Sequence, residues 1–367
     1  MVRVCHLSTV HQRTDTRIML KECASLAVSG YEVHLVIADN KGDERINGVK
    51  VHGLRKHRNR LLRMLIDPLL VLRKALSLKA EIYHFHDGEL MFAGLLLSLR
   101  GKKVIYDVHD DLAKQILGKY YIAPVLRAFL ARLTTWAESL TCRQFSGIIT
   151  AVPYMNERFS QYNTKVVTVH NYPLVEELIG IDESKREPHV ICYVGGITRI
   201  RGILELVSAL DLVDATLLLG GSFDPPSLEQ EARALPGWKK VRYLGFLNRE
   251  EVAEVLSLAS IGLLALLPNQ NHQDSVPIKM MEYLGAGLPI VASDFPHWRE
   301  LLEPLDCAEF VDPLNPADIA GGIAKLLNDP ERCSEIGKRG KKAVFTRFNW
   351  QNEFKNMLVL YHDLEKK

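Results

Sequence analysis

The chain is poor in several features that mark specialised proteins, and each gap removes a class of function. Its 367 residues carry six cysteines, at 5, 23, 142, 192, 307 and 333, with no C-x-x-C pair and no His/Cys ligand spacing. Scattered thiols argue against a disulfide framework or a zinc ribbon and fit a reducing compartment. No apolar run approaches the ~20 residues needed to cross a bilayer, and no basic-then-apolar leader precedes the first strand-like run at Val2–Leu7. The formal charge is only +2, so no bulk attraction to nucleic acid is expected. No G-x-G-x-x-G follows a strand-like run, which argues against NAD. Repeats and low-complexity tracts are absent. A cytoplasmic protein is expected, with association at the inner face of the cell membrane left open.

What is present is alternation. Strands are predicted at 2–8, 32–38, 49–53, 81–85, 103–107, 147–151 and 165–169, then at 189–194, 215–219, 240–244, 261–265, 289–292 and 308–311. Amphipathic stretches between them, such as Arg17–Ser29, Leu69–Leu78, Leu90–Leu99 and Val125–Phe145, read as crossover helices, so the fold class is α/β with parallel sheets. This is too many strands for one core. A break is expected over Asn171–Pro188, where proline-bearing segments interrupt the pattern, giving domains 1–172 and 186–345. Trp350, Phe354, Met357, Leu358 and Tyr361 line one stripe of a last helix over about 348–367. Two doubly wound domains imply a ligand in a cleft at the carboxyl ends of both sheets.

The loops after the strands are therefore the places for chemistry. Asp274-Ser275-Val276-Pro277-Ile-Lys279-Met-Met-Glu282 reads as a loop entering a short helix, followed by a Gly285/Gly287 stop and a buried strand. A helix start over 276–278 suits a phosphate, Lys279 adds a full charge, and Glu282 is placed to accept from the hydroxyls of a ribose. The opposing reading is a surface helix with a Lys279–Glu282 pair. Another strand runs into Gly195-Gly196-Ile-Thr198-Arg199-Ile-Arg201-Gly202, where glycines admit close backbone approach and both arginines suit phosphate oxygens. Gly220-Gly221 and Gly245-Phe246-Leu247 repeat the pattern more weakly. In the first half, His11, Arg13 and Arg17 follow the first strand and are placed to reach an anionic ligand, although Thr14 or Asp15 there also reads as a helix cap. His86, Asp87 and His109 follow two later strands, and His109 is expected to project into the cleft. A metal site from His84, His86 and Asp87 is discounted, because its ligands would need opposite faces of a strand.

Together these segments resemble glycosyltransferase family 4, the retaining enzymes of the two-Rossmann GT-B fold, over nearly the whole chain. The markers are Gly195–Gly202, Gly245-Phe-Leu247 and Asp274–Val291. Cys5–His11 with Asp15-Thr-Arg17, Tyr83–Asp87 and Tyr106–Asp110 look like a bacterial branch that builds O-antigens, capsules and exopolysaccharides. The resemblance implies two Rossmann-like domains facing a central cleft, with the C-terminal helix returning to the first. It implies donor binding by Gly195, Gly196, Thr198, Arg199, Arg201, Gly221, Phe246, Leu247, Ser275, Val276, Pro277, Lys279 and Glu282. His109, Arg201, Asp274 and Lys279 would carry the catalysis, and His11, Asp15, Arg17, His86 and Asp87 would face the acceptor. Arg201 stands for the usual lysine at the diphosphate, Asp274 for the first glutamate of E-x7-E, and Gly196 where a second phosphate-binding arginine is common.

The reaction expected is transfer from a UDP- or GDP-sugar to a glycan or polyprenyl-diphosphate-linked acceptor. No D-x-D motif stands in a plausible loop, so no metal and no cofactor are expected. Leu54–Lys74 carries seven Lys/Arg against one acid, interleaved with Leu61, Leu62, Met64, Leu65 and Ile66, which suits an anionic membrane or a solvated helix equally. A nucleotide-sugar epimerase of the same fold and a non-catalytic nucleotide-sugar-binding subunit are the alternatives.

Overall fold

The structure, a computed structural model, describes residues 1–109, 111–118 and 122–366. Asp110, the last residue of the Tyr106–Asp110 motif, lies outside the described residues, as does the side chain of Leu61. The chain divides into two compact units, Met1–Asn171 with Glu353–Lys367, and Tyr172–Asn352.

Unit 1 is built on β1 (Arg3–Ser8), β2 (Glu32–Ala38), β3 (Glu44–Ile46), β4 (Val49–Leu54), β5 (Ile82–Phe85), β6 (Lys103–Val108), β7 (Gly147–Thr150) and β8 (Val166–Thr168). They form one sheet in the order β3-β4-β2-β1-β5-β6-β7-β8, parallel except for β3. The strands are near-continuous apolar runs because helices cover both faces, as a parallel sheet requires. The β3–β4 hairpin was not expected, yet its turn is Asn47-Gly48 with φ of 48° and 82°, the left-handed pair that such a tight turn needs. The helix Arg60–Leu78 runs through Pro68 instead of starting after it, longer than the 69–78 expected. The last helix, Trp350–Glu365, ends in unit 1 and buries Met357, Leu360, Tyr361 and Leu364.

Unit 2 holds β9 (Val190–Val194), β10 (Ile197–Thr198), β11 (Thr216–Gly220), β12 (Phe223–Asp224), β13 (Val241–Gly245), β14 (Ile261–Leu264), β15 (Ile290–Ser293) and β16 (Ala308–Val311). The six main strands run parallel in the order β13-β11-β9-β14-β15-β16, and β10 pairs with β12 beside them. Ile191, Ile261, Leu263, Ile290 and Val291 are fully buried. Truncating one such side chain to alanine costs about 2–5 kcal/mol, so the sheet is a stiff support for the loops at its carboxyl end. Both sheets follow the dinucleotide-fold order, reversing direction at one point: between β1 and β5 in unit 1, and between β9 and β14 in unit 2.

Candidate functional site

In unit 2 the strand order reverses between β9 and β14, the place where a sheet of this kind leaves a crevice beyond its strand ends. The chain leaves β9 through Gly195 and Gly196, makes one turn over Arg199–Arg201, and enters the helix Ile203–Leu210 at Gly202. Gly195 has φ +130°, and a Cβ there would stand 2.7 Å from Lys279 Nζ. Gly221 has φ +143°, and its Cβ would stand 2.0 Å from the Gly195 carbonyl oxygen. Neither position accepts a side chain without strain. The Gly195 amide donates to Gly220 O at 2.9 Å, and the Gly221 amide to Gly245 O at 2.6 Å. Three successive strand ends thus form a ledge of bare backbone.

Lys279, the second residue of the helix Ile278–Gly285, turns under that ledge. Its Nζ donates to Tyr193 Oη at 3.0 Å and lies 4.1 Å from the centre of that ring. Burial, and then the charge of Arg201, lower its pKa to about 7. Arg201 Nη1 donates to the Gly196 carbonyl at 2.9 Å. Among the described residues neither cation has a carboxylate within ion-pair distance. A guanidinium and an amine that titrates near neutrality, beside backbone glycines and a helix start, form a pattern that an anion completes by drawing Lys279 to its charged form.

Other predicted residues fall differently. Arg199 does not join Arg201: its Nη2 lies 3.6 Å from Glu205 Oε1 on an exposed side chain. The two arginines sit two apart in a turn of three residues, which points them to different sides. Glu282 does not pair with Lys279, because Arg249 Nη1 donates to its Oε1 at 2.8 Å. Pro277 caps the helix with ψ 136°, so the helix begins at Ile278. Asp274 ends the short helix Gln270–Asp274, and the next carbonyl, of Ser275, accepts from Trp298 Nε1 at 2.8 Å. Val276 packs on the core. Phe246 is 80% exposed, while Leu247 packs over Gly220. Thr198 Oγ1 is buried with no hydrogen-bond partner among the described residues. Tyr193, which holds Lys279, went unread in the sequence; its place next to the last residue of the strand entering Gly195 was the available signal.

In unit 1 the reversal point gathers side chains, not bare backbone. Asp87 accepts from Ser8 Oγ at 2.9 Å and from the Thr9 and Val10 amides at 2.6 and 3.2 Å. His11 bridges two carboxylates, with Nδ1 3.2 Å from Asp15 Oδ2 and Nε2 3.3 Å from Asp87 Oδ1. Hydrogen bonds to Asp15 and then Asp87 raise its pKa to about 10, so the ring is cationic at neutral pH. Burial raises both carboxyls, but the His11 hydrogen bond outweighs it with help from backbone donors, and each sits at about 2. Asp15 also caps its helix, accepting from the Arg17 and Ile18 amides at 2.9 Å, so the cap reading and the His11 contact hold together. His109 Nε2 is 3.1 Å from His11 Nε2, and its Nδ1 is 3.4 Å from Asp107 Oδ2.

These two rings, with His86 and Asp87, line a cavity of about 550 Å3 whose remaining wall is largely apolar, including Met64, Met91, Leu112 and Leu133. Arg17 does not line it. Its guanidinium is buried, paired with Asp107 through Nε–Oδ2 at 2.9 Å and Nη2–Oδ1 at 2.8 Å, and it donates to Val169 O at 3.0 Å. Arg13 likewise closes on Asp39 and Glu44. The expectation that these arginines meet an anionic ligand is corrected: burial of a guanidinium demands internal partners, and each has them.

Two units of Rossmann strand order in one chain are the architecture of the GT-B class. The solved structure of Anabaena HepE with UDP has this fold: it superposes with a TM-score of 0.73 at 13% identity, covering 99% of this chain and all of that one. Family models match both units, "Glycosyl transferase 4-like domain" over residues 16–172 and "Glycosyl transferases group 1" over 175–343. The chain belongs to the family 4 type of GT-B glycosyltransferases. Similar curated proteins include an uncharacterized glycosyltransferase of Methanocaldococcus jannaschii, 27% identical over 50% of this chain and 46% of that one. Another is TuaH of Bacillus subtilis (strain 168), a glycosyltransferase provisionally named for teichuronic acid biosynthesis, 24% identical over 70% of this chain and 66% of that one. The chain thus spans about half to two thirds of the curated relatives it matches.

Proposed function

We propose that the chain is a retaining, metal-independent glycosyltransferase whose unit 2 binds a nucleotide sugar. The observation that carries this is the pair Arg201 and Lys279, beside the Gly195 ledge at the β9/β14 reversal point, with no carboxylate within ion-pair distance among the described residues. A diphosphate supplies the missing charge. As the anomeric C–O bond breaks, its electron pair stays on the diphosphate, where both cations and the Ile278 helix start stabilise it. The acceptor hydroxyl oxygen bonds to the anomeric carbon, and its proton passes to the departing phosphate oxygen. Glu282 takes the ribose, with Arg249 fixing its carboxylate, and Asp274 takes donor-sugar hydroxyls. His109 orients the reacting sugar or the acceptor. The base is read as uracil, on the strength of the UDP bound by HepE.

The acceptor belongs to the unit 1 cavity, where the ring nitrogens of His11 and His109 and a largely apolar wall suit a lipid-linked glycan. TuaH supports a surface-polysaccharide role. No helix among the described residues is long and apolar enough to cross a membrane. The helix Pro124–Cys142, however, exposes Val125, Leu126, Phe129, Leu133, Trp136 and Leu140, and the helix Arg60–Leu78 exposes Leu62, Met64, Leu65 and Leu69. With Arg127, Arg132 and Arg143 beside the first stripe, these faces fit an anionic lipid surface. Co-sedimentation with phosphatidylglycerol vesicles but not phosphatidylcholine vesicles is expected; equal recovery with both rejects that surface.

Thermal-shift titration with UDP-, GDP- and ADP-sugars, without added metal, tests the donor reading. One nucleotide should raise the melting temperature, and Glu282→Ala should lose the shift. Silence across the panel overturns it.

A further inference from the structure

Four buried side chains of unit 1 converge beneath the cavity, and of the four only His86 also lines it. His6 and His84 are paired neighbours on β1 and β5, and His86, two residues on, shares their face. All three rings and the carboxylate of Glu22 are fully buried. Glu22 Oε2 stands 3.9 Å from each of three ring nitrogens, His6 Nδ1, His84 Nε2 and His86 Nε2. His6 Nδ1 and His86 Nε2 are 2.9 Å apart, and all four atoms lie within 4.8 Å of one another. Donors bonded tetrahedrally to one ion at about 2.0–2.1 Å stand about 3.3 Å apart, a value these separations bracket.

Glu22 arrives through an irregularity. Over Thr16–Cys23 the helix is π-type, with the Leu20 amide bonded to Asp15 O at 3.2 Å, so residues five apart stack and Glu22 falls beside Arg17. Arg17 Nε is 3.1 Å from Glu22 Oε1, but its N–H is directed at Asp107. Neither Glu22 oxygen receives a hydrogen bond among the described residues, and neither does His84 Nε2. Buried polar atoms are rarely left so, and each such gap asks for an occupant. The far sides of the rings are already engaged: His86 Nδ1 with Asp107 Oδ2 at 3.0 Å, His84 Nδ1 with Tyr361 Oη at 2.8 Å, and His6 Nε2 with the same hydroxyl at 3.4 Å. Outer partners of this kind fix which nitrogen faces a metal.

We infer that His6, Glu22, His84 and His86 form a closed site for one divalent first-row transition ion of zinc's class. Four protein ligands and full burial leave no open position, so the ion is structural and separate from the transfer reaction. It ties β1, the π-type helix and β5 together, and through Tyr361 the last helix. Asp87 takes no part in the cluster, since it turns to the Thr9 amide, whereas His84 and His86 share a face and find their partners at residues 6 and 22.

The test is elemental analysis of untagged protein purified without chelator, followed by unfolding in EDTA and refolding with Zn2+ or Co2+. About one equivalent of metal per chain is expected in both preparations, with the ligand-field absorption of a four-coordinate ion in the cobalt form. Glu22→Gln and His84→Ala should lower the stoichiometry at least about tenfold. Wild-type protein that regains its native circular dichroism in the presence of Zn2+, yet holds less than about a tenth of an equivalent after desalting, overturns the site. So does a full equivalent retained by either variant.

Discussion

The two reversal points share a strand order and solve opposite electrostatic problems. In unit 1 each cation at the sheet end is answered from within: Arg17 by Asp107, and His11 by Asp15 and Asp87. In unit 2 Arg201 and Lys279 stand together against bare backbone, with no carboxylate in contact among the described residues. A site whose charges are already balanced selects by shape and hydrogen bonding. One left with excess charge is completed by its ligand. The same frame thereby carries a charge-balanced pocket in one unit and a charge-deficient strand end in the other.

The comparison breaks most visibly at Arg17. Replacing it with methionine should cost about 3–5 kcal/mol in unit 1, since Asp107 is left buried without its partner. Hydrogen exchange followed by mass spectrometry should place the loss in residues 1–171 and leave unit 2 unchanged. Arg201→Ala should do the reverse, lowering turnover about 10²–10³-fold through lost leaving-group stabilisation while the melting temperature holds. Steady-state kinetics beside a melting curve separates the two. Gly221→Ala is a smaller perturbation: forcing a Cβ onto φ +143° should cost about 1–3 kcal/mol and move the ledge. Chemical denaturation and nucleotide affinity should both register it.

A further contrast is a pair of opposed pH slopes. His11 is raised from 6.5 to about 10, so its contribution is full below 6.5 and lost as pH climbs towards 10. Lys279 is lowered from 10.5 to about 7. Between those values the unfolded chain holds more protons, and unit 2 gains stability as pH rises. His11→Gln should flatten the first slope and Lys279→Met the second, read from exchange protection in each unit between pH 6.5 and 10. Slopes of the same sign in both units would remove the contrast.

Legibility in the sequence follows the same division. Unit 2's crevice was readable because its parts are local: Gly195 to Arg201 is one loop, Asp274 to Glu282 another, and their spacing carries the chemistry. What failed there was direction, as with Arg199 and the Arg249 partner of Glu282, which only the fold supplies. Unit 1's apolar strands were equally plain, but its polar interior joins residues 6, 17, 22, 86, 107 and 361 through register and a π-type turn. No spacing rule announces those contacts. The Asn47-Gly48 hairpin was present in the sequence and passed over, since three-residue β3 is too short to show periodicity.

The most direct test is calorimetric titration of UDP-, GDP- and ADP-sugars into wild type and Lys279→Met at pH 7.5, in two buffers of different ionisation heat. One nucleotide sugar should bind the wild type with proton uptake, because the diphosphate recharges Lys279. In the variant that uptake should vanish and affinity fall about tenfold or more, the loss expected for a hydrogen bond to a charged group. Equal affinity in both proteins, or no binding of any nucleotide sugar to folded wild type, would contradict the account.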